Sequence, residues 1–151
     1  MYTKTAPAIT IETYPVTLDP TVSLEGQINA GNYAFVDEHY TPQNFPLTLT
    51  GQREVMLFDP LGNVSSEEMI ALMKADKCVP ATIDDCLAFG TTFPERQRKN
   101  PIVFLGTVFH DPNRGRHVPV LRGWVGGRSL YLGWFVDRWS YGCRFAAVRE
   151  S

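Results

Sequence analysis

The sequence changes character at Pro101, and this change restricts the folds that the chain can adopt. Before it, two segments carry helix-start signals: residues 65–68 (SSEE) have the form of a capping box, and Thr82 precedes Asp84 and Asp85. After it, short runs rich in β-branched and aromatic residues alternate with turn residues. Helices that precede the strands, instead of alternating with them, predict an α+β fold.

More specifically, we expect two helices followed by a C-terminal antiparallel β-meander, with an early strand and a short helix before them. The two main helices are expected to start at Ser65 and Thr82, the second ending at Gly90. The short helix would follow Asp19 and Thr21 and end at Gly31. The predicted strands are those at 9–18 (broken at Pro15), 53–58, 102–109, 117–124, 130–135 and 144–148.

The 151 residues are enough for one domain spanning 1–151, and a hydrophobic content of 44% supplies one core. The longest apolar runs, such as 102–106, are far shorter than the ~20 residues of a membrane helix. The first residues lack the apolar stretch of a signal peptide. We therefore expect no membrane insertion and a cytoplasmic location, or display through a partner.

Charge is divided unequally along the chain. Residues 1–90 carry 4 basic and 12 acidic side chains, whereas residues 91–151 carry 10 and 4, and nine of those ten are arginines. We therefore expect the two halves to complement each other. The arginines are scattered singly among aromatic residues and glycines, which favours fixed hydrogen bonds to carboxylates and carbonyls. Nucleic-acid binding by the basic half is the less favoured alternative, which steep salt dependence would support.

Cysteine and histidine spacing gives little support to a catalytic or metal site. Cys78, Cys86 and Cys143 form no CxxC pair, which disfavours a disulfide framework or a zinc knuckle, although a thiolate paired with histidine could act as a nucleophile. His110 and His117 straddle a turn and could bind a metal with Asp111, but polar residues at the end of a hairpin are explained by solvation alone. We expect no catalytic residue, no metal and no cofactor.

Two other kinds of ligand site are disfavoured by the sequence. The Gly126-Gly127 pair lacks the GxGxxG pattern of a phosphate-binding loop and is explained by a turn. A calcium site near the C-terminus would require several carboxylates, and Asp137 is the only acid in the aromatic segment described next.

Residues 124–145 contain all three tryptophans, and 7 of these 22 positions are aromatic. Within the predicted strand, two sets of residues alternate. Leu130, Leu132 and Trp134 would face the core, and Ser129, Tyr131 and Gly133 would face the other side. Tyrosine, serine, glycine and aspartate in the other set and in the following loop are typical of binding surfaces. The alternative is an aromatic sheet surface packed against the early helices.

Ten positions of this segment are candidates for ligand contact. All ten hold residues that an AAC asparagine codon can reach when only its adenines change, and none holds Lys, Glu, Gln, Met or Trp, which such changes cannot produce. The ten positions are Ser129, Tyr131, Gly133, Val136, Asp137, Arg138, Ser140, Tyr141, Gly142 and Cys143.

The chain resembles the variable proteins of diversity-generating retroelements, especially compact ones from uncultured bacteria, archaea and their viruses. The resemblance covers most of the chain and rests on segments 80–82 (PAT), 87–90 (LAFG), 93–98 (FPERQR), 101–106 (PIVFLG), 117–121 (HVPVL), 128–135 (RSLYLGWF) and 144–149 (RFAAVR). The PAT helix start and the closing Arg144-Phe145 strand also look like those of formylglycine-generating-type C-type lectin domains.

This resemblance implies a C-type-lectin-like domain whose surface at 124–145 is diversified by error-prone reverse transcription at template adenines. The ten candidate positions would form the variable surface, and its ligand would be a protein or a cell-surface molecule. Tyr131 and Tyr141 are expected to be the main contacts. The implied scaffold residues are Arg128, Leu130, Leu132, Trp134, Trp139, Arg144 and Phe145.

The same resemblance implies one alternative, a thiol- or metal-dependent enzyme related to formylglycine-generating enzymes, which use paired thiols with copper. Cys78 and Cys86 would then be the pair, and they would titrate as reactive thiols or bind copper. Since Cys143 is itself a candidate variable position, it is a poor choice for a catalyst. The expected function is therefore ligand binding without catalysis.

Overall fold

A computed structural model describes residues 11–113 and 115–150. Three helices and one short 3₁₀ turn are present in these ranges, namely α1 (Leu24–Gly31), α2 (Ser66–Ala75), α3 (Ile83–Thr92) and the 3₁₀ turn Arg96–Arg98. The strands are β1 (Ile11–Leu18), β2 (Phe35–Val36), β3 (Gly51–Phe58), β4 (Val64–Ser65), β5 (Cys78–Pro80), β6 (Ile102–Val103), β7 (Phe109–His110), β8 (Arg116–Trp124), β9 (Gly127–Trp134), β10 (Arg138–Trp139) and β11 (Arg144–Arg149). The fold is α+β, as predicted. Positions 9 and 10 of the predicted first strand lie outside the described residues.

The two predicted helix starts are confirmed. At α2, the Ser65 hydroxyl accepts a hydrogen bond from the Glu68 amide at 3.1 Å, and the Glu68 carboxylate accepts one from the Ser65 amide at 2.8 Å. At α3, the Thr82 amide donates to the Asp85 carboxylate at 2.9 Å. These bonds satisfy amides that the first helical turn leaves without partners.

One of the predicted helix ends is wrong. The helix α1 ends at Gly31 as expected, although its capping residue is Asn32 and not Gly31; Asn32 adopts the left-handed conformation with φ of 53°. Gly90 lies inside α3, which continues to Thr92. Its lack of a side chain is required by packing, because a Cβ at this position would collide with the Tyr33 hydroxyl.

The main sheet has the strand order β1-β3-β11-β6-β8-β9-β2. Neighbours on this path are antiparallel except for the β11–β6 and β9–β2 pairs, which are parallel. The chain therefore does not form the simple C-terminal meander that we expected: after β9 it leaves this sheet, and β11 returns between β3 and β6. The predicted strand at 102–109 is split into β6 and β7, and Pro15 does not break β1, because β1 is an edge strand that tolerates a missing amide.

Both faces of the sheet are covered, and alternate residues of each strand pack on opposite sides. In β3, Val55 and Leu57 join the core on the side of α1 and α3, which we call the α3 face. Met56 and Phe58 join a second core on the side of α2, which we call the α2 face. The same alternation places Leu130 and Leu132 of β9 on the α3 face and Tyr131 on the α2 face.

Ion pairs join the basic half of the chain to the acidic half, as the charge distribution predicted. Arg96 pairs with Glu12 at 2.7 Å, and Arg144 lies 3.3 Å from the Asp59 carboxylate. A third pair joins Arg138 to Glu68 at 3.0 Å. No helix in the described ranges is long and apolar enough to cross a membrane.

Candidate ligand-binding surface

The candidate positions on β9 lie on the α2 face, beside the adjacent strand β8. Ser129 is paired in register with Arg122, Tyr131 with Val120, and Gly133 with Val118. We expected these β9 side chains to face solvent. Instead, Ser129 and Gly133 are buried and Tyr131 is only partly exposed. Residues 136–143, which we call the 136–143 loop, fold back beside β9 and cover part of it.

Trp139 fixes this loop to the sheet. Its indole ring packs against Gly133 so closely that a Cβ at residue 133 would lie 2.7 Å from the ring. The indole nitrogen donates to the Ser66 hydroxyl at 2.9 Å, and that hydroxyl donates to the Phe135 carbonyl at 2.6 Å. The buried Ser66 therefore connects the start of α2 to two points of the chain after β9, which holds the loop in a defined position.

Further contacts hold the loop along its length. The strands β10 and β4 pair antiparallel, with Trp139 opposite Val64. The Tyr141 amide donates to the Asn63 side chain at 2.9 Å, and the Asn100 side chain donates to the Gly142 carbonyl at 3.0 Å. Most of these bonds use main-chain atoms of the loop, so they do not depend on the identity of its exposed side chains.

The ten candidate positions differ in how far their side chains are exposed to solvent. Five are exposed, and all five belong to the loop: Val136, Asp137, Arg138, Ser140 and Tyr141. Tyr131 and Gly142 are partly exposed. Ser129, Gly133 and Cys143 are buried, so the expectation that all ten face solvent is wrong for these three. The most exposed aromatic ring of the set is Tyr141, at 73%.

The predicted scaffold residues are buried or half-buried with one exception. Arg128, Leu130, Leu132 and Phe145 are buried, and Trp139 and Arg144 are partly buried. Trp134 is 47% exposed, so its prediction as a core residue is wrong. It is the last residue of β9, and its ring packs against His117, tilted by 50°, at a centroid distance of 4.3 Å at the end of the sheet. Phe135, the next residue, is buried in its place.

Arg128 is a buried cation whose bonds explain its scaffold position. It donates to the carbonyls of Gly31 at 2.6 Å and Gly90 at 2.7 Å, and to the Gln97 side chain at 2.9 Å. The first carbonyl belongs to the last turn of α1 and the second to the C-terminal half of α3, so one guanidinium joins both helices to β9. Carbonyls near a helix C-terminus carry partial negative charge, which stabilises the buried cation. The scattered arginines predicted bonds of this kind, but the sequence contained no signal for the particular partners of Arg128.

Of the two histidines at the β7–β8 turn, His117 bonds within the turn. His117 Nε2 lies 2.6 Å from Asp111 Oδ2, and Asp111 Oδ1 accepts from the amides of Asn113 and Gly115. The hydrogen bond to His117 and those two amides lower the pKa of the Asp111 carboxyl. His110 is exposed on the neighbouring strand. Within the described ranges, no group of three or more His, Cys, Asp or Glu side chains could hold a metal ion.

The cysteines do not form a pair. Cys86 belongs to the core on the α3 face and Cys78 to the core on the α2 face, so the sheet lies between them. Burial raises the pKa of both thiols and of the Cys143 thiol. A raised thiol pKa disfavours the thiolate, which is the reactive form. The arrangement therefore gives no support to the paired-thiol alternative.

Comparisons with protein-family models, with curated proteins and with solved structures found no match for this chain.

Proposed function

We propose that this protein is a ligand-binding protein with a C-type-lectin-like domain, whose C-terminal surface is diversified by a retroelement. Its ligand is a protein or a cell-surface molecule, and binding involves no catalysis. The observation that carries this proposal is the 136–143 loop: five of its side chains are exposed, while Asn63 and Asn100 bond its main chain and Ser66 bonds the Trp139 indole.

A loop of this kind suits a surface that changes from one variant to the next. Exposed substitutions usually change stability by less than about 0.5 kcal/mol, so many sequences are compatible with one backbone. A loop that is already ordered also loses little conformational entropy on binding. The side chains whose hydrogen bonds hold the loop lie outside the ten candidate positions, and they include Trp139, which an altered AAC codon cannot encode.

The burial of Ser129, Gly133 and Cys143 refines the proposed variable surface. We expect Val136, Asp137, Arg138, Ser140 and Tyr141 to vary freely, with Tyr131 and Gly142 at the border. Gly133 is expected to stay invariant because any side chain there would displace Trp139. The variable set is thus centred on the loop and includes little of the strand.

The test is deep sequencing of the 3′ end of this gene and its flanking DNA across the source population. The proposal requires variation concentrated in the codons of the exposed loop positions. It also requires a nearby near-copy with adenines at those codons, beside a reverse-transcriptase gene. If the loop codons vary no more than the rest of the gene, the diversification proposal fails and a binder of fixed specificity remains.

Binding itself is tested separately with a phage-displayed random peptide library selected on the purified protein. Peptides that bind should lose affinity when Val136 and Tyr141 are both changed to alanine. If peptides selected on the wild-type chain bind this variant equally well, the loop is not the binding surface.

A further inference from the structure

Two arginines of β8 differ from every other arginine in the described ranges. The others bond carboxylates or carbonyls, as Arg138 does with Glu68 at 3.0 Å and Arg149 with the Asp76 carbonyl at 3.1 Å. Arg116 and Arg122 have neither an ion pair nor a side-chain hydrogen bond to another described residue. Their guanidinium groups lie over aromatic rings instead.

The two stacking contacts have similar geometry. The guanidinium carbon of Arg116 is 4.5 Å from the ring centre of Phe135, and that of Arg122 is 5.0 Å from the ring centre of Tyr131. An aromatic ring holds a guanidinium by a cation–π interaction and leaves the N–H groups at its edge available. Those N–H groups match the two oxygens of a carboxylate.

The positions of the two arginines relate them to the proposed binding loop. Both have even numbers in β8, as do Val118 and Val120, so all four side chains project on the α2 face. The Phe135 amide donates to the Arg116 carbonyl at 2.9 Å, immediately before the loop begins. At the other end of the loop, Arg122 lies near Cys143. Its positive charge lowers the pKa of that thiol, whereas burial raises it.

Five residues of extended strand lie between the two arginines, so their Cα atoms are about 20 Å apart. Arg116 is bonded to the residue before the loop and Arg122 lies near its last residue, so the two arginines lie at opposite ends of the loop. Neither residue is among the ten candidate variable positions, so both stay the same while the loop between them varies.

We infer that Arg116 and Arg122 are constant contacts for an acidic partner, a protein surface that presents carboxylates to both ends of the 136–143 loop. This inference rests on the proposed function, to which it adds the chemistry of the partner. The two arginines supply attraction shared by all variants, and the loop side chains select among acidic surfaces. Exposed Val136 and Tyr141 suit a protein partner.

The test compares three forms of the full chain in selections from a phage-displayed random 12-residue peptide library. The first is the wild type, the second carries Arg116→Gln and Arg122→Gln, and the third carries Arg98→Gln and Lys99→Gln. The third is the matched control. Like the second form, it removes two positive charges. Arg98, however, lies against Gly123, and the β8–β9 register places Gly123 on the α3 face.

Peptides selected on the wild type and on the control are expected to be enriched in Asp and Glu relative to the library. That enrichment should disappear in the Arg116→Gln/Arg122→Gln form, and wild-type-selected peptides should bind it at least ~10-fold more weakly. The difference should shrink between 50 and 500 mM NaCl, because salt screens exposed charges. Equal enrichment in all three forms overturns the inference.

Two further measurements distinguish failure of this inference from failure of the proposed function. One uses the Val136→Ala/Tyr141→Ala variant and the other uses a DNA duplex. If wild-type-selected peptides tolerate loss of the arginines but not the Val136→Ala/Tyr141→Ala change, the proposed function stands and the acidic-partner inference fails. If they tolerate both changes, both fail. A 20-base-pair DNA duplex that binds the wild type more tightly than the best peptide, and loses that binding with the arginines, overturns the inference in favour of a nucleic-acid partner.

Discussion

The indole of Trp139 packs directly on the main chain of Gly133, so closely that a Cβ at residue 133 would lie 2.7 Å from the ring. This contact joins the loop after β9 to the surface of the sheet. It explains why Gly133, which we expected to vary, is buried, and why residue 139, which covers it, is a tryptophan. The loop keeps its place because the strand beneath it has a gap of the right size.

Gly133→Ala should therefore destabilise the protein by about 1–3 kcal/mol, the usual cost of overpacking a tight contact. Urea denaturation measured by circular dichroism would give this value. Gly142→Ala is the matched control, because a Cβ there meets nothing within 4 Å. Equal stability of the two variants would show that Trp139 moves aside without cost.

Trp134→Ala should cost less than the ~3–5 kcal/mol that truncation of a core aromatic causes, because Trp134 is 47% exposed. We expect about 1–2 kcal/mol, mostly from the lost ring contact with His117. Leu132→Ala, two residues earlier and buried in the α3-face core, should cost about 2–5 kcal/mol. Thermal and urea unfolding of both variants would test this order, and the reverse order would place Trp134 in the core.

Tyr141→Ala should leave the free energy of unfolding within about 0.5 kcal/mol of wild type while weakening ligand binding. Tyr131→Ala should weaken binding and also reduce stability, because its ring is partly buried under Arg122. Melting temperature and peptide affinity measured on the same samples would separate the two effects. A large loss of stability in Tyr141→Ala would mean that the exposed ring supports the fold.

The stability of the β7–β8 turn should depend on pH through Asp111. Hydrogen bonds hold the pKa of this carboxyl below its ordinary value of 3.8, so the stabilisation is present above about pH 4 and is lost as the pH falls through the lowered pKa. Asp111→Asn should reduce stability at pH 7, and the difference from wild type should narrow towards pH 2. Urea midpoints at several pH values would measure it, and a constant difference would contradict the assignment.

Local signals in the sequence were enough for the fold class, both principal helix starts and most strands. Capping residues such as Ser65 and Thr82 bond amides only three residues away, so their effect is visible without the rest of the fold. The division of charge likewise predicted that arginines of the second half would bond acids of the first. The positions of the strands in the sheet were not predictable, because pairing depends on contacts between distant segments.

The exposure of the candidate site illustrates the same limit. Alternation along β9 correctly separated Leu130 and Leu132 from Tyr131, since neighbouring side chains in a strand must point to opposite faces. It could not show that both faces would be covered, one by α1 and α3 and the other by α2 and the 136–143 loop. Trp134 lies at the exposed end of its face, whereas Gly133 lies under Trp139.

By itself, the sequence determined the types of secondary structure and the segment where aromatic and small polar residues are concentrated, because both follow from local composition and spacing. Only the tertiary structure decided which candidates reach solvent and which arginines keep free N–H groups. Burial and hydrogen bonding depend on what the rest of the chain places beside a residue, and for Arg116 and Arg122 it places aromatic rings.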